Sequence, residues 1–337
     1  MMSSNFSEKL GIKRSDRDDG GLDNLFDYSA DEVETTRRVE VIDNPLLNPL
    51  SEYQRYMDAS HDNQEYEPNK ILLPEEIDAF VKTFHSEYEK NPLKFSDFLD
   101  KIVVVSYNDG NNNFHLNFSS YNKPDMIFMW EIATKERPLE LEIEGNLGIK
   151  CFERAEYFNV KINGDIESNF AEGSKNLDIV INGNVKDNFG YCSTNLNVTI
   201  NGDTKLYFGY LSNNLNAIIN GNVGGAFSHY SNDLSAIING NAGPDFGGGL
   251  RSNIFVSGDV NTKGTTFSNY NSTIKTSNKI TLAKFVSYLS QSQNHFFVLK
   301  ENWSKYSLTN FPSKTYSSLI FVDEKGDENT IARFKIK

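Results

Sequence analysis

Three aspartates and one glycine-rich run are the first places to look for chemistry in this chain. Asp165, Asp203 and Asp259 each follow a glycine, and carboxylates behind glycine turns are hard-cation ligands in calcium-binding β-rolls. Such rolls need a shorter repeat with a Gly-Gly-x-Gly-x-Asp pattern, and here Asn184, Asn222 and Asn241 fill the same slot, so the aspartates read as turn formers. The run "GPDFGGG" from Gly243 to Gly249 would cradle a phosphate if a helix start and Lys-Ser/Thr followed it. Neither follows, and it reads as a corner of a repeat.

The other candidates are as thin. Cys151 and Cys192 make no disulfide framework and no zinc spacing, and the histidines (His61, His85, His115, His229, His295) are scattered. His229 stands beside Tyr230 without a nucleophile or carboxylate motif near it. Asn-x-Ser/Thr at Asn117, Asn197, Asn271 and Asn302 acquires meaning only behind a secretion signal. The expectation is a protein that is not an enzyme, with no catalytic residues, cofactor or metal.

The elements that carry these residues follow a ruler. Asn-Gly recurs at Asn163-Gly164, Asn182-Gly183, Asn201-Gly202, Asn220-Gly221 and Asn239-Gly240, in steps of 19 residues. Six residues past each glycine stands an aromatic: Phe170, Phe189, Phe208, Phe227 and Phe246. Thirteen, fifteen and seventeen past the first come Leu177, Ile179 and Ile181, alternating with polar neighbours, which is the period of a half-buried strand. Such a unit cannot bury its own apolar face and must stack on copies of itself. The pattern predicts a mainly β protein: a parallel β-solenoid of about seven coils and on the order of 30 Å, at about 4.8 Å per coil. The phenylalanines should form an inner column. Ser174, Ser193, Ser212 and Ser231, and likewise Asn176, Asn195 and Asn214, should form polar ladders between coils. Asn-Gly is expected at corners of positive φ.

"GNVGGAFS" (Gly221, Gly224, Ser228) and "GNAGPDFG" (Gly240, Gly243, Gly247) carry Gly-x-x-Gly-x-x-x-Gly/Ser within the repeat. This resembles the GXGXG-type right-handed β-helix, found in the C-terminal domain of the glutamate synthase large subunit and in one of the subunits of formylmethanofuran dehydrogenase. The similarity spans about Leu141 to Thr276, and Lys186 and Lys205 replace the middle glycine in other coils. The resemblance implies a structural, interface-forming part, with chemistry residing in other domains or subunits.

Four regions follow: an acidic disordered tail (1–69), a small α+β N-terminal cap (70–140), the solenoid (141–278) and an α+β C-terminal cap (279–337). In the tail, Leu22, Leu25, Phe26 and Tyr28 belong to an amphipathic island fit to dock on a partner. "NPLLNPLSEYQRYM" reads as an extended segment. Ile77, Phe80, Val81, Phe84 and Tyr88 predict one helix behind Pro74, and Phe95, Phe98, Leu99 and Ile102 a second. "KIVVVSY", "NFHLNFSSY" and "DMIFMWEI" read as strands, the first two joined by "NDGNNN". A helix over Leu282, Phe285, Val286 and Leu289, the strand "HFFVLK" and a hairpin across Glu324 to Asp327 follow the solenoid.

Charge narrows the partners. The net charge of −13 argues against direct nucleic-acid binding and against anionic lipid. No run reaches the roughly 20 apolar residues of a membrane span, and the start has no signal-peptide core, so a cytoplasmic protein is expected. Tyr191, Tyr210 and Tyr230 should stand one above another as an exposed stripe. The functional expectation is a binding or scaffold protein engaging a macromolecule, one with a basic surface, through the solenoid and the tail. The alternatives are a non-catalytic subunit of a redox or amidotransferase complex, and a surface adhesin or carbohydrate binder.

Overall fold

The structure, a computed structural model, describes residues 47–61, 66–128, 132–244, 246 and 253–258, and strand segments at 260–261, 273–276, 280–281, 294–299, 317–322 and 328–334. Leu22, Leu25, Phe26, Tyr28 and the helix expected over Leu282–Leu289 lie outside them.

The segment read as extended is a helix, α1 (Leu47–His61). Leu50, Tyr53 and Tyr56 recur on its buried face. Pro49 falls in the first turn, where an amide hydrogen has no helical acceptor to lose. The buried Glu52 carboxylate accepts from Arg55 (2.7 Å), Tyr66 (2.8 Å) and the Asn69 amide (3.1 Å). α2 (Pro74–Thr83) starts on proline, and Glu76 accepts from the Leu73 N–H at 2.9 Å. α3 (His85–Lys90) is short, and α4 (Pro92–Asn108) runs straight through the expected strand "KIVVVSY". Ile102, Val103, Ser106 and Tyr107 are buried in pairs separated by two less buried residues, a helical rhythm. Phe98, one turn before Ile102, packs on Tyr53 (5.1 Å) and Phe80 (5.3 Å), and burial of this helical face overrides the β preference of three valines.

β1 (Asn113–Asn117) is a strand as expected, but it pairs in parallel with β2 (Leu139–Glu144) and has no hairpin partner in "KIVVVSY". The described part of "DMIFMWEI" forms no strand. It is an irregular rung: the Met126 N–H donates to Ile149 O (2.9 Å) and Phe152 N–H to Ile127 O (2.9 Å), with positive φ at Met126 and Phe128. α2 covers the outer edge of β1, where Asp78 accepts from the Asn117 N–H at 3.1 Å and Tyr121 donates to Val81 O at 2.6 Å. An open sheet edge is closed by this helix.

From β2 the ruler takes over. β3 (Phe158–Asn163), β4 (Lys175–Ile181), β5 (Thr194–Ile200), β6 (Asn213–Ile219) and β7 (Asn232–Ile238) pair in parallel, each residue facing the one 19 positions on. About five complete coils, 145–239, are present rather than seven, a rod of about 24 Å at 4.8 Å per coil. At the amino end the preceding rung lacks Asn-Gly. At the carboxyl end the step to Gly258 is one residue short, yet Gly258 still stacks on Gly240, whose carbonyl oxygen accepts its N–H at 3.1 Å, and Ser235 pairs with Asn253, eighteen positions on. The sheet continues through β8 (Asn253–Val256), β10 (Thr273–Thr276), β12 (Asn294–Leu299) and β13 (Ser317–Val322) to an antiparallel β14 (Glu328–Phe334). β9 (Val260–Asn261) and β11 (Ile280–Thr281) form a separate short pair. The strand "HFFVLK" and the last hairpin are thus observed.

Inside the rod, Phe170, Phe189, Phe208, Phe227 and Phe246 stack with centroids 5.5, 4.9, 5.1 and 5.3 Å apart. Gly164, Gly183, Gly202, Gly221 and Gly240 are not at positive φ. They are glycine because a Cβ would stand 2.2–2.4 Å from the carbonyl oxygen of the glycine one coil earlier. The left-handed residues sit elsewhere, four per coil: Asn169, Ala171, Gly173 and Asn176 in the coil 164–182. The serine column also differs from expectation. Ser174, Ser193 and Ser212 donate to carbonyls three residues back in their own coil, at 2.7, 2.6 and 2.7 Å.

Asparagine is what links coils. Asn182, Asn201, Asn220 and Asn239 each donate from Nδ2 to the Oδ1 one coil earlier at 2.6–2.7 Å, and Asn163 donates to Glu144 at 2.6 Å. Two parallel columns end the same way, Asn159 on Glu140 and Lys161 on Glu142, both at 2.6 Å. Every amide in the column points its hydrogen toward Glu144, so a carboxylate stands where the aligned partial charges are positive, as at a helix N-terminus. Glu144→Ala should lower stability by about 1–2 kcal/mol, and Glu144→Gln, which keeps an acceptor, by less. Urea melts that leave Glu144→Ala at the wild-type midpoint would contradict this terminating role.

Candidate partner-binding surface

The residues with chemical potential are placed first as structure. Asp165 accepts from both the backbone N–H (2.7 Å) and Nδ2 (3.1 Å) of Asn184, and Asp203 does the same for Asn222 at the same distances. Asn146, Asp165, Asn184, Asp203, Asn222 and Asn241 form one ladder in which Oδ1 takes the next coil's amide hydrogen. Asp165 and Asp203 are two coils apart with a neutral Asn between, which keeps like charges from facing each other. Asp259 lies outside the described residues. Among the described residues no three His, Cys, Asp or Glu side chains are grouped to hold a metal ion.

Cys151 is fully buried, 3.3 Å from Pro124 O, and burial pushes its thiol up to about 12, far from a reactive thiolate. Cys192 is exposed. Gly243 is packed against the Gly224 backbone, where a Cβ would come within 2.7 Å, so this part of "GPDFGGG" is a stacking position.

The expected tyrosine stripe stands with His229 in place of Tyr230, and Tyr191 and Tyr210 are half-buried rather than exposed. Backbone bonds fix the column: Gly173 N–H to Tyr191 O (2.8 Å), Cys192 N–H to Tyr210 O (3.0 Å) and Leu211 N–H to His229 O (3.1 Å). Tyr191 and Tyr210 stack at 5.6 Å with planes 8° apart. The next member is His229, at 5.8 Å, and not Tyr230. Tyr230 occupies the left-handed slot of Leu211 and sets its ring at 89° to Tyr210, 5.7 Å away. The one-residue offset follows from the period, since 210 plus 19 is 229.

Sequence reasoning missed the residues that widen this stripe into a patch. Leu206 (46% exposed), Tyr207 (42%) and Leu211 (43%) are exposed in the turn 206–211, and Leu211 shares its slot with Tyr230 (53%) of the next coil. The Tyr207 ring meets Tyr210 edge-on at 5.5 Å. A signal was present: the preceding coil has Asp187, Asn188 and Cys192 in those slots, so three outward positions turn apolar together. In the other direction the column becomes acidic, with Glu172 and Glu153 in the slot of Tyr191, and the Arg154 N–H donating to Glu172 O at 2.8 Å. The Tyr191 phenol is held above its ordinary range by the neighbouring Cys192 side chain first, then by desolvation and by Tyr210 and Glu172. It stays a neutral donor at physiological pH.

No helix among the described residues is long and apolar enough to cross a membrane. No family model, curated protein or solved structure matches this chain.

Proposed function

We propose that this protein is a non-enzymatic binding scaffold whose aromatic corner holds a protein partner. The observation that carries the reading is the pair of exposed rings, Tyr207 and Tyr230, set edge-on against Tyr210 in its stack with Tyr191, with exposed Leu211 in the Tyr230 slot one coil earlier. Apolar side chains grouped in this way favour association, and tyrosine supplies apolar area with a polar tip. Stacked rings spend their faces on each other and offer edges and hydroxyls, which suit peptide groups better than flat sugar faces. Glu153 and Glu172 continue the column, so the partner's complementary surface is basic, in keeping with the net charge of −13. The island around Leu22, Leu25, Phe26 and Tyr28 is a second docking element in this reading. Two free thiols fit a reducing, cytoplasmic setting. A right-handed GXGXG-type helix is the finer architecture we favour, because parallel crossover connections are almost always right-handed.

The test is recovery of a partner from native extract by three versions: full length, one lacking residues 1–44 (which keeps α1), and Tyr207→Ser/Tyr230→Ser. A partner lost tenfold or more with the double substitution supports the corner. One held equally by all three versions sinks both docking elements.

A further inference from the structure

A second surface runs along the outer face of β2 to β7, independent of the aromatic corner. It is a groove of about 790 Å³ between two side-chain ladders that follow the rod axis. One wall is polar: Asp178, Asn197, Asn216 and Ser235 stand in register on successive strands. The other is largely apolar: Val180, Thr199, Ile218 and Ile237 stand in register two residues on, with Val180, Ile218 and Ile237 exposed by 38, 43 and 46%. The floor is the strand backbone at Ile179, Val198 and Ala217, whose own side chains point into the core. Outward neighbours on a strand are about 7 Å apart, so the two ladders lie side by side as a shallow two-sided strip along the rod axis, on which one chain can rest.

The polar wall has donors to spare. Asn197 donates one Nδ2 hydrogen to Asp178 (2.6 Å) and Asn216 one to Asn197 (2.9 Å). A carboxamide carries two such hydrogens, which leaves one on each of Asn197 and Asn216 for a ligand, beside carbonyl and hydroxyl acceptors. Charge excludes polyanions: Glu140, Glu142 and Asp178 line the amino-terminal end, and the Lys161 beside them is bound to Glu142 at 2.6 Å. Spacing excludes peptides: coils are about 4.8 Å apart, whereas an extended strand advances about 3.4 Å per residue and a polyproline helix about 3.1 Å. Neither stays in step with the ladders over several coils.

We propose that this groove binds a neutral linear glycan lying along the rod axis, one sugar per coil. A pyranose unit in an extended glycan is close to one coil spacing in length. It presents hydroxyls on its edges and C–H groups on its faces, matching an amide wall opposite an aliphatic one.

The experiment is retention of full-length protein in gels or arrays carrying β-1,4-glucan, β-1,3-glucan, xylan, mannan, chitin oligomers and, as a polyanion, polygalacturonate. Retention by at least one neutral glycan is expected, unchanged by about 1 M NaCl, where charges are screened within about 3 Å. Ile218→Glu and Asn216→Leu should each weaken it tenfold or more, with folding checked by circular dichroism. If Ile218→Glu does not fold, Ile218→Thr keeps a β-branched strand residue and should still weaken retention. Tyr207→Ser/Tyr230→Ser should leave it unchanged, which separates this groove from the aromatic corner. Retention by none of the neutral glycans, by polygalacturonate alone, or unaltered by groove substitutions would overturn the proposal.

Discussion

Gly202→Ala is expected to destabilise the rod by on the order of 3 kcal/mol, more than any surface substitution in the coils. The alanine methyl would stand 2.4 Å from Gly183 O and 2.7 Å from Gly183 C, backbone atoms that cannot rotate away. Relief requires coils to part at that corner, and parting strains the asparagine column beside it, where Asn201 donates to Asn182 at 2.7 Å and accepts from Asn220 at 2.7 Å. Urea unfolding of full-length protein, with hydrogen exchange of the β5 and β6 amides, measures it. Since Gly202 is not at positive φ, the penalty is steric contact between coils and not backbone strain. A wild-type midpoint for Gly202→Ala would mean the stacking distance is not fixed by this column.

Phe208→Ala should cost about 3–5 kcal/mol, the range for emptying an aromatic site in a core. The ring is 1% exposed and lies between Phe189 (4.9 Å, 3°) and Phe227 (5.1 Å, 4°), so its removal takes away two stacked contacts at once. Collapse is resisted because coil spacing is set by the backbone ladders on either side and not by the ring. Phe208→Leu should recover about half of the loss. Leu206→Ala, two residues away but 46% exposed, should sit near wild type and serves as the control. Calorimetry on the three variants reads the difference directly.

How much of the fold is legible in the sequence depends on whether a slot is repeated. Phe170 to Phe246, and Leu177, Ile179 and Ile181 with their equivalents, are readable because each column imposes one residue type every 19 positions, and strand registers follow. Where a segment occurs once, only local preference speaks, and packing overrides it. Val103, Val104 and Val105 prefer strands, yet Phe98, Leu99, Ile102 and Ser106 bury one helical face through them. Pro45 and Pro49 make the Leu47–His61 helix look extended, although a proline in a first turn is harmless. The rung containing Met126 and Phe128 has the backbone of a coil without its Asn-Gly, so the ruler does not reach it. Asn-Gly marks each corner in the sequence, but the conformational reason expected for its glycine does not hold. That glycine is required by contact with the neighbouring coil. Of the binding corner, Tyr191 and Tyr210 are visible as a stripe, while matching tyrosine to tyrosine puts Tyr230 in the slot where the period places His229.

The carboxylates of Glu140, Glu142 and Glu144 and the helix α2 are found once, at one end, whereas the columns between them and β8 are built of interchangeable coils. Length is therefore a separate inheritable trait. An in-frame duplication or loss of one coil leaves every column continuous and both ends untouched, while a one-residue slip within a strand pairing turns that strand inside out. Chains descended from this one can grow or shrink by whole coils, and the groove on the outer sheet face would lengthen or shorten with them, setting the size of what it holds.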